Sequence, residues 1–253
     1  MTRPADALHT FHAFTASHAA VLVVFAFVTA VACTLGVRRR GTATLARLER
    51  GAGACMLALW VVSTLYWLVP QNYTIQEALP IHMCDLTGLI APLVLITHKR
   101  ALRTLLYFWG LGLSSQAMIT PVLEHGPAYL PFWLFWLTHA SIIGTAIYDL
   151  VAHRYRPTFR DCLFAIGMCA IWLAVVLVVD LSLDVNYGYV GKITPDRPTV
   201  IDHLGPWPIR VYKLAVAVLG LFVTMWVPWG IANRRATRRT DSARTPSATA
   251  ADR

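Results

Sequence analysis

Three residues within four positions, His82, Cys84 and Asp85, combine groups that exchange protons, attack carbonyls and bind metals. They belong to the stretch Leu79-Pro80-Ile81-His82-Met83-Cys84-Asp85, at the start of a segment that is otherwise apolar. A thiol in the first turns of a helix with a histidine nearby is a residue pattern of nucleophilic cysteines. Proline suits the first position of a helix, where its missing N–H costs nothing. A helix begun at Pro80 sets His82 and Asp85 three apart on one face. Ionisable side chains at membrane depth are expensive and mark function, so this septet is the first candidate site.

What must position it is a membrane bundle. The chain has 253 residues, 57% of them hydrophobic. Windows of about 19 residues find apolar spans at roughly 16–37, 52–69, 80–97, 102–120, 131–149, 160–181 and 208–231. The expected fold is all-α, a polytopic membrane protein with seven transmembrane helices in residues 1–232. Residues 233–253 carry many Arg, Thr, Ser and Ala and no aromatic. That composition cannot bury a core and reads as a disordered, basic cytoplasmic tail.

Basic residues set the orientation. Seventeen of the 22 Lys and Arg fall in alternate connections and the tail, among them Arg38, Arg39, Arg40, Lys99, Arg100, Arg154 and Arg156. Five fall on the other side: Arg3, Lys192, Arg197, Arg210 and Lys213. This asymmetry places the N-terminus outside and the C-terminus in the cytoplasm of a multi-pass cell-membrane protein. The net charge of +9 is then a topology signal, with membrane lipids and not nucleic acid as the expected partners. One Arg precedes the first apolar run and three follow it, the reverse of a cleavable signal, so the first span is expected to stay.

Polar residues recur at matching depth in the outer half. The fourth span ends with Ser114-Ser115-Gln116, the fifth carries Thr138-His139, the sixth ends at Asp180, and Asp202-His203 precede the last. The long outer connection, about 182–207, holds Asn186-Tyr187 and enough Gly and Pro to break helices. A loop of this length commonly forms a lid or binding surface. One shared outer pocket accounts for these residues, although His139 and Gln116 also suit interhelical hydrogen bonding. Cys84 is the one cysteine in that half; Cys33, Cys55, Cys162 and Cys169 read as buried structural residues without disulfides. The histidines, Cys84 and either Asp have the chemistry of zinc ligands, but their spacing follows no zinc signature. No metal and no cofactor are assigned.

The ordered set Leu79-Pro80-x-His82-x-Cys84-Asp85, Gln116-Ala117-x-x-Thr120-Pro121, His139, Asn186-Tyr187 and Leu204-Gly205-Pro206-Trp207-Pro208 resembles the YwaF-like bacterial integral membrane proteins, related to eukaryotic transmembrane protein 164. The resemblance covers about residues 50–230. Its eukaryotic branch is associated with cysteine-dependent acyl transfer to phospholipids. That implies Cys84 as nucleophile, with His139 or His82 as base, and Asp85, Gln116, Asn186, Tyr187 and Asp202 as residues contacting substrate. The expected function is therefore a cysteine-dependent phospholipid acyltransferase or lipid hydrolase. The alternative is a small-molecule transporter or ligand-binding membrane protein, against which stands the scarcity of polar residues in the inner half.

Overall fold

The computed structural model describes residues 6–192 and 200–244. Its helices are α1 Asp6–His9, α2 Ala16–Arg38, α3 Ala43–Leu68, α4 Ile75–Ala78, α5 Met83–Thr97, α6 Arg100–Leu105, α7 Gln116–Ile119, α8 Leu130–Ala152, α9 Phe159–Leu183 and α10 Ile209–Arg244. A π-helical segment, Leu106–Ser114, joins α6 to α7. Among the described residues the fold is all-helical, and the lone β-pairing is the bridge between Thr10 and His125.

Six helices among the described residues are long and apolar enough to cross a membrane: Ala16–Arg38, Ala43–Leu68, Ile75–Thr97, Leu130–Ala152, Phe159–Leu183 and Ile209–Ala232. Burial sorts them into centre and rim. Ile75–Thr97 and Leu130–Ala152 each have 44% of their most apolar stretch buried within the protein, against 6% for Ala43–Leu68 and Ile209–Ala232. The rim helices turn side chains such as Val24, Phe27, Val62, Val216 and Val223 outward, as lipid contact requires.

The apolar segment expected at 102–120 lies in the centre too, but as α6, the π-helical segment and α7 in succession. Its glycines explain the placement. A Cβ on Gly110 would come within 3.1 Å of Ile142 and Leu106, and one on Gly112 within 2.9 Å of the Met225 sulfur. Without those carbons the backbone fits between α8 and α10. Phe108 and Trp109 fill the core beside it, and the Tyr107 hydroxyl donates to the Met225 carbonyl at 2.9 Å. π-Turns of this kind occur often at functional sites.

Two helix starts differ from the expectation. α3 begins at Ala43, well before its apolar run, because the Thr42 hydroxyl caps it by accepting the Leu45 N–H. This early stretch turns Leu45, Glu49 and Gly53 inward at intervals of four, one face of a helix. α5 begins at Met83 and not at Pro80. His82 is its N-cap, and the Asp85 carboxylate accepts the His82 N–H at 3.1 Å, the reciprocal half of a capping box.

The end of the bundle opposite His82 is dense in paired charge. Arg100 Nε donates to Asp161 Oδ1 at 3.0 Å, and Arg103 Nε to Asp149 Oδ2 at 2.9 Å. The Arg103 guanidinium also lies over the Tyr155 ring. Buried Tyr155, in the connection between α8 and α9, has its phenol pushed well above the usual range by that burial.

Candidate functional site

The outer candidate site is built on a strap, α4 followed by residues 79–82, that leads into α5. Buried Tyr187 holds it. Its hydroxyl donates to the Ile75 carbonyl and accepts the Leu79 N–H at 3.0 Å. Burial pushes the Tyr187 phenol above its ordinary range, so it stays protonated and keeps donating. From α9, Trp172 Nε1 donates to the Ile81 carbonyl at 2.9 Å.

Tyr187 is in turn fixed by its own loop. Its N–H donates to the buried Asp180 carboxylate at 2.8 Å, and Asn186 Oδ1 accepts the Gly191 N–H at 2.8 Å. Gly188 has φ +62°, a conformation that favours glycine, and a Cβ there would meet Trp172 at 2.4 Å. The expected binding residues Asn186 and Tyr187 are thus engaged in building the loop and clamping the strap.

His82 belongs to the same clamp. Its ring lies 4.6 Å from that of Tyr187. A carbonyl can only accept, so His82 Nε2 is the protonated nitrogen, donating to the Gln76 carbonyl at 3.0 Å. The Glu77 carboxylate lies 3.9 Å from the same nitrogen.

Cys84 makes its contact elsewhere. Its Sγ donates to the Ser114 hydroxyl at 3.7 Å, tying the first turn of α5 to the end of the π-helical segment. One turn further along α5, Gly88 lets α8 approach: a Cβ there would lie 3.3 Å from the Thr138 methyl. His139, next to Thr138, is buried. Its Nδ1 donates to the Phe135 carbonyl at 2.8 Å, which leaves the lone pair on Nε2. No hydrogen bond joins Cys84 to either histidine.

Asp85 is occupied at both ends: its carboxylate caps α5 and its carbonyl accepts Trp60 Nε1 at 2.8 Å. The Gln116 side chain is exposed, and the Asp202 side chain lies outside the described residues. All five cysteines are free. An open apolar groove of about 390 Å³ runs beside α7, between Phe14, His18 and Leu22 on one side and Met118 and Ile119 on the other. The structure therefore unites Cys84 with Ser114 at the head of α5 and His82 with Asp85 and Tyr187 at the strap, while His139 stays on α8, whose Thr138 packs at Gly88.

Comparison with known proteins identifies a family. The TMEM164 family matches residues 13–226, a stretch that includes both sets. The chain belongs to the TMEM164 family. No curated protein and no solved structure matches it. This TMEM164-family chain is a multi-pass membrane protein, as its six apolar helices require.

At the other end of the bundle lies a cluster that sequence reasoning did not single out. Glu49 of α3, His98 after α5 and His153 after α8 bring one ligand atom each to within 4.8 Å of one another. Their separations of 49 and 55 residues form no motif. The one available signal was positional, since both histidines directly follow apolar spans and precede basic residues, Lys99 and Arg154.

Proposed function

We propose that this TMEM164-family protein is a lipid acyltransferase or lipid hydrolase whose nucleophile is Cys84. It would cross the cell membrane seven times, counting the broken central segment, with its N-terminus outside and residues 233–253 as a basic cytoplasmic tail. The observation that carries the reading is the environment of the thiol. Cys84 sits in the first turn of α5 next to Asp85, so it starts as a thiol that must hand its proton to a base. It contacts a hydroxyl, and α8, which packs against Gly88 one turn further along α5, bears a histidine whose tautomer presents a lone pair at Nε2.

In this reading His139 accepts the thiol proton and the sulfur attacks the carbonyl of an ester-linked acyl chain. The ester C–O bond breaks, the departing lipid alkoxide takes the proton from His139, and a thioester remains on Cys84. An incoming alcohol or water then gives its proton to His139 and attacks the thioester, and the returning proton restores the thiol. His82 is the weaker candidate for the base, because its Nε2 proton is held by Gln76 and residues two apart on a helix do not face each other. The apolar groove bordered by Met118 and Ile119, four and five residues after Ser114 along the chain, suits the hydrocarbon part of such a substrate.

The test uses the purified chain in lipid nanodiscs with an electrophilic acyl-phosphonate probe and a fluorescent phospholipid. The native protein is expected to label at Cys84 and to release or transfer the acyl chain, and Cys84→Ala to do neither. Native protein that takes no label and turns over no lipid overturns the reading.

A further inference from the structure

The cluster at the opposite end of the bundle, Glu49, His98 and His153, has no part in that chemistry. α5 runs from Met83 to Thr97, so about 20 Å separates its two ends. Three features make the cluster a built site. Gly53 on α3 has α5 pressed against it; a Cβ there would lie 2.8 Å from Ile96 and 3.0 Å from the Pro92 carbonyl. That close approach carries Glu49, one turn away on the same face, to the residue that ends α5. His98 is that residue, in the left-handed conformation at φ +51°, and His153 is the residue that ends α8, at φ −97°. Two helix C-termini, each a partial negative charge, therefore converge on a buried carboxylate.

The carboxylate lacks a fixed counter-charge. Its contacts are the Tyr148 hydroxyl, which donates to Oε1, His153 Nε2 at 2.7 Å from Oε1 and His98 Nε2 at 3.4 Å from Oε2. Arg40 is nearby but donates to the Val151 and Ala152 carbonyls, and Arg103 is paired with Asp149. A buried carboxylate is costly unless it is paired or coordinates a metal. Two imidazoles and one carboxylate form a donor set for a divalent transition ion, unlike the all-oxygen sets of Ca²⁺ and Mg²⁺.

We propose that Glu49, His98 and His153 bind a divalent transition-metal ion such as Zn²⁺ or Fe²⁺ at this end of the bundle. Metal–ligand bonds of about 2.0–2.1 Å put tetrahedral ligand atoms about 3.3 Å apart. The His98–Glu49 pair already has that spacing. The His153–Glu49 pair holds a proton between its atoms; the metal replaces the proton, which leaves to solvent, and the pair opens by about half an ångström. Tyr148 supplies the outer hydrogen bond that orients a ligating carboxylate. It is held against α2 by Gly36, where a Cβ would lie 2.5 Å from its ring. His98 and His153 are both partly exposed, so the remaining coordination positions face outward.

The test is titration of the chelator-stripped full chain in nanodiscs with Zn²⁺ in competition with a fluorescent chelator, and with Co²⁺ read by its d–d absorption. One equivalent is expected to bind, with the intense visible Co²⁺ bands of a four- or five-coordinate site and a rise in melting temperature. His98→Ala and His153→Ala are each expected to weaken binding by more than about 10-fold, and Tyr148→Phe by about 10-fold. Cys84→Ala should leave it unchanged. Glu49→Gln risks misfolding, so the partly exposed His98 carries the test, with melting of the metal-free variant as the folding control. Absence of saturable binding overturns the proposal, as does binding that survives in the His98→Ala/His153→Ala double variant.

Discussion

The Leu79 N–H donates to the Tyr187 hydroxyl at 3.0 Å, joining the strap before α5 to a loop 108 residues later in the chain. The same hydroxyl donates to the Ile75 carbonyl, so one phenol satisfies a half-buried donor and a half-buried acceptor. Tyr187→Phe leaves both without it. At about 0.5–1.5 kcal/mol for each hydrogen bond lost, the variant is expected to melt below the native protein in nanodiscs. Unchanged melting would show that the strap is held by Trp172 and Pro80 alone.

The two histidines at the outer end should separate by kinetics. His139 carries its lone pair on Nε2 and is hydrogen-bonded only through Nδ1, whereas His82 is committed to Gln76 and Tyr187. His139→Gln is expected to slow acyl transfer by about 10²–10⁴-fold, the range for loss of a general base. His82→Gln should lower it by less than about 10-fold, a bound set well under that range. Stopped-time thioester formation on Cys84 measures both, and a larger loss in the His82 variant would exchange their roles.

Asp85 is expected to act on stability before chemistry. Its carboxylate caps α5 through the His82 N–H, and removing a cap costs about 0.5–2 kcal/mol. Asp85→Ala should therefore lower the melting temperature while Cys84 still takes an electrophilic probe. A variant that melts normally but no longer labels would make the carboxylate part of the reaction.

Backbone conformation gives a paired prediction. Gly188 has φ +62° with the Trp172 ring where a Cβ would go, while Gly220, within α10, has nothing within 4 Å of that position. Gly188→Ala is expected to cost more than about 1 kcal/mol from left-handed strain, with displacement of Trp172 in addition. Gly220→Ala should be neutral or stabilising by about 0.4–1 kcal/mol. Thermal unfolding of the two variants side by side checks the sign of each.

Some of this was legible in the residues themselves. Apolar runs near 16–37, 131–149, 160–181 and 208–231 correspond closely to α2, α8, α9 and the apolar part of α10, because transfer into lipid is a sum over local side chains. The start of α3 was less legible. Arg47, Glu49 and Arg50 lower the hydropathy there, although Leu45, Glu49 and Gly53 share one helical face. The division of 100–119 into α and π turns was not legible, since it follows from what Gly110 and Gly112 pack against.

By itself, then, the sequence determined that the chain is a helical membrane protein with a thiol, a histidine and a carboxylate at the head of one apolar segment. Hydropathy and helix start signals are properties of neighbouring residues and need no fold to be read. Only the tertiary structure decided which of those groups meet. It turned Cys84 toward Ser114 and His82 toward Gln76, because side chains two apart on a helix point to different neighbours. It also gathered Glu49, His98 and His153 from three helices, a convergence set by glycine-mediated contact between α3 and α5 and by where α5 and α8 end. Interhelical contacts of that kind join residues whose separation along the chain is arbitrary, and no local pattern records them.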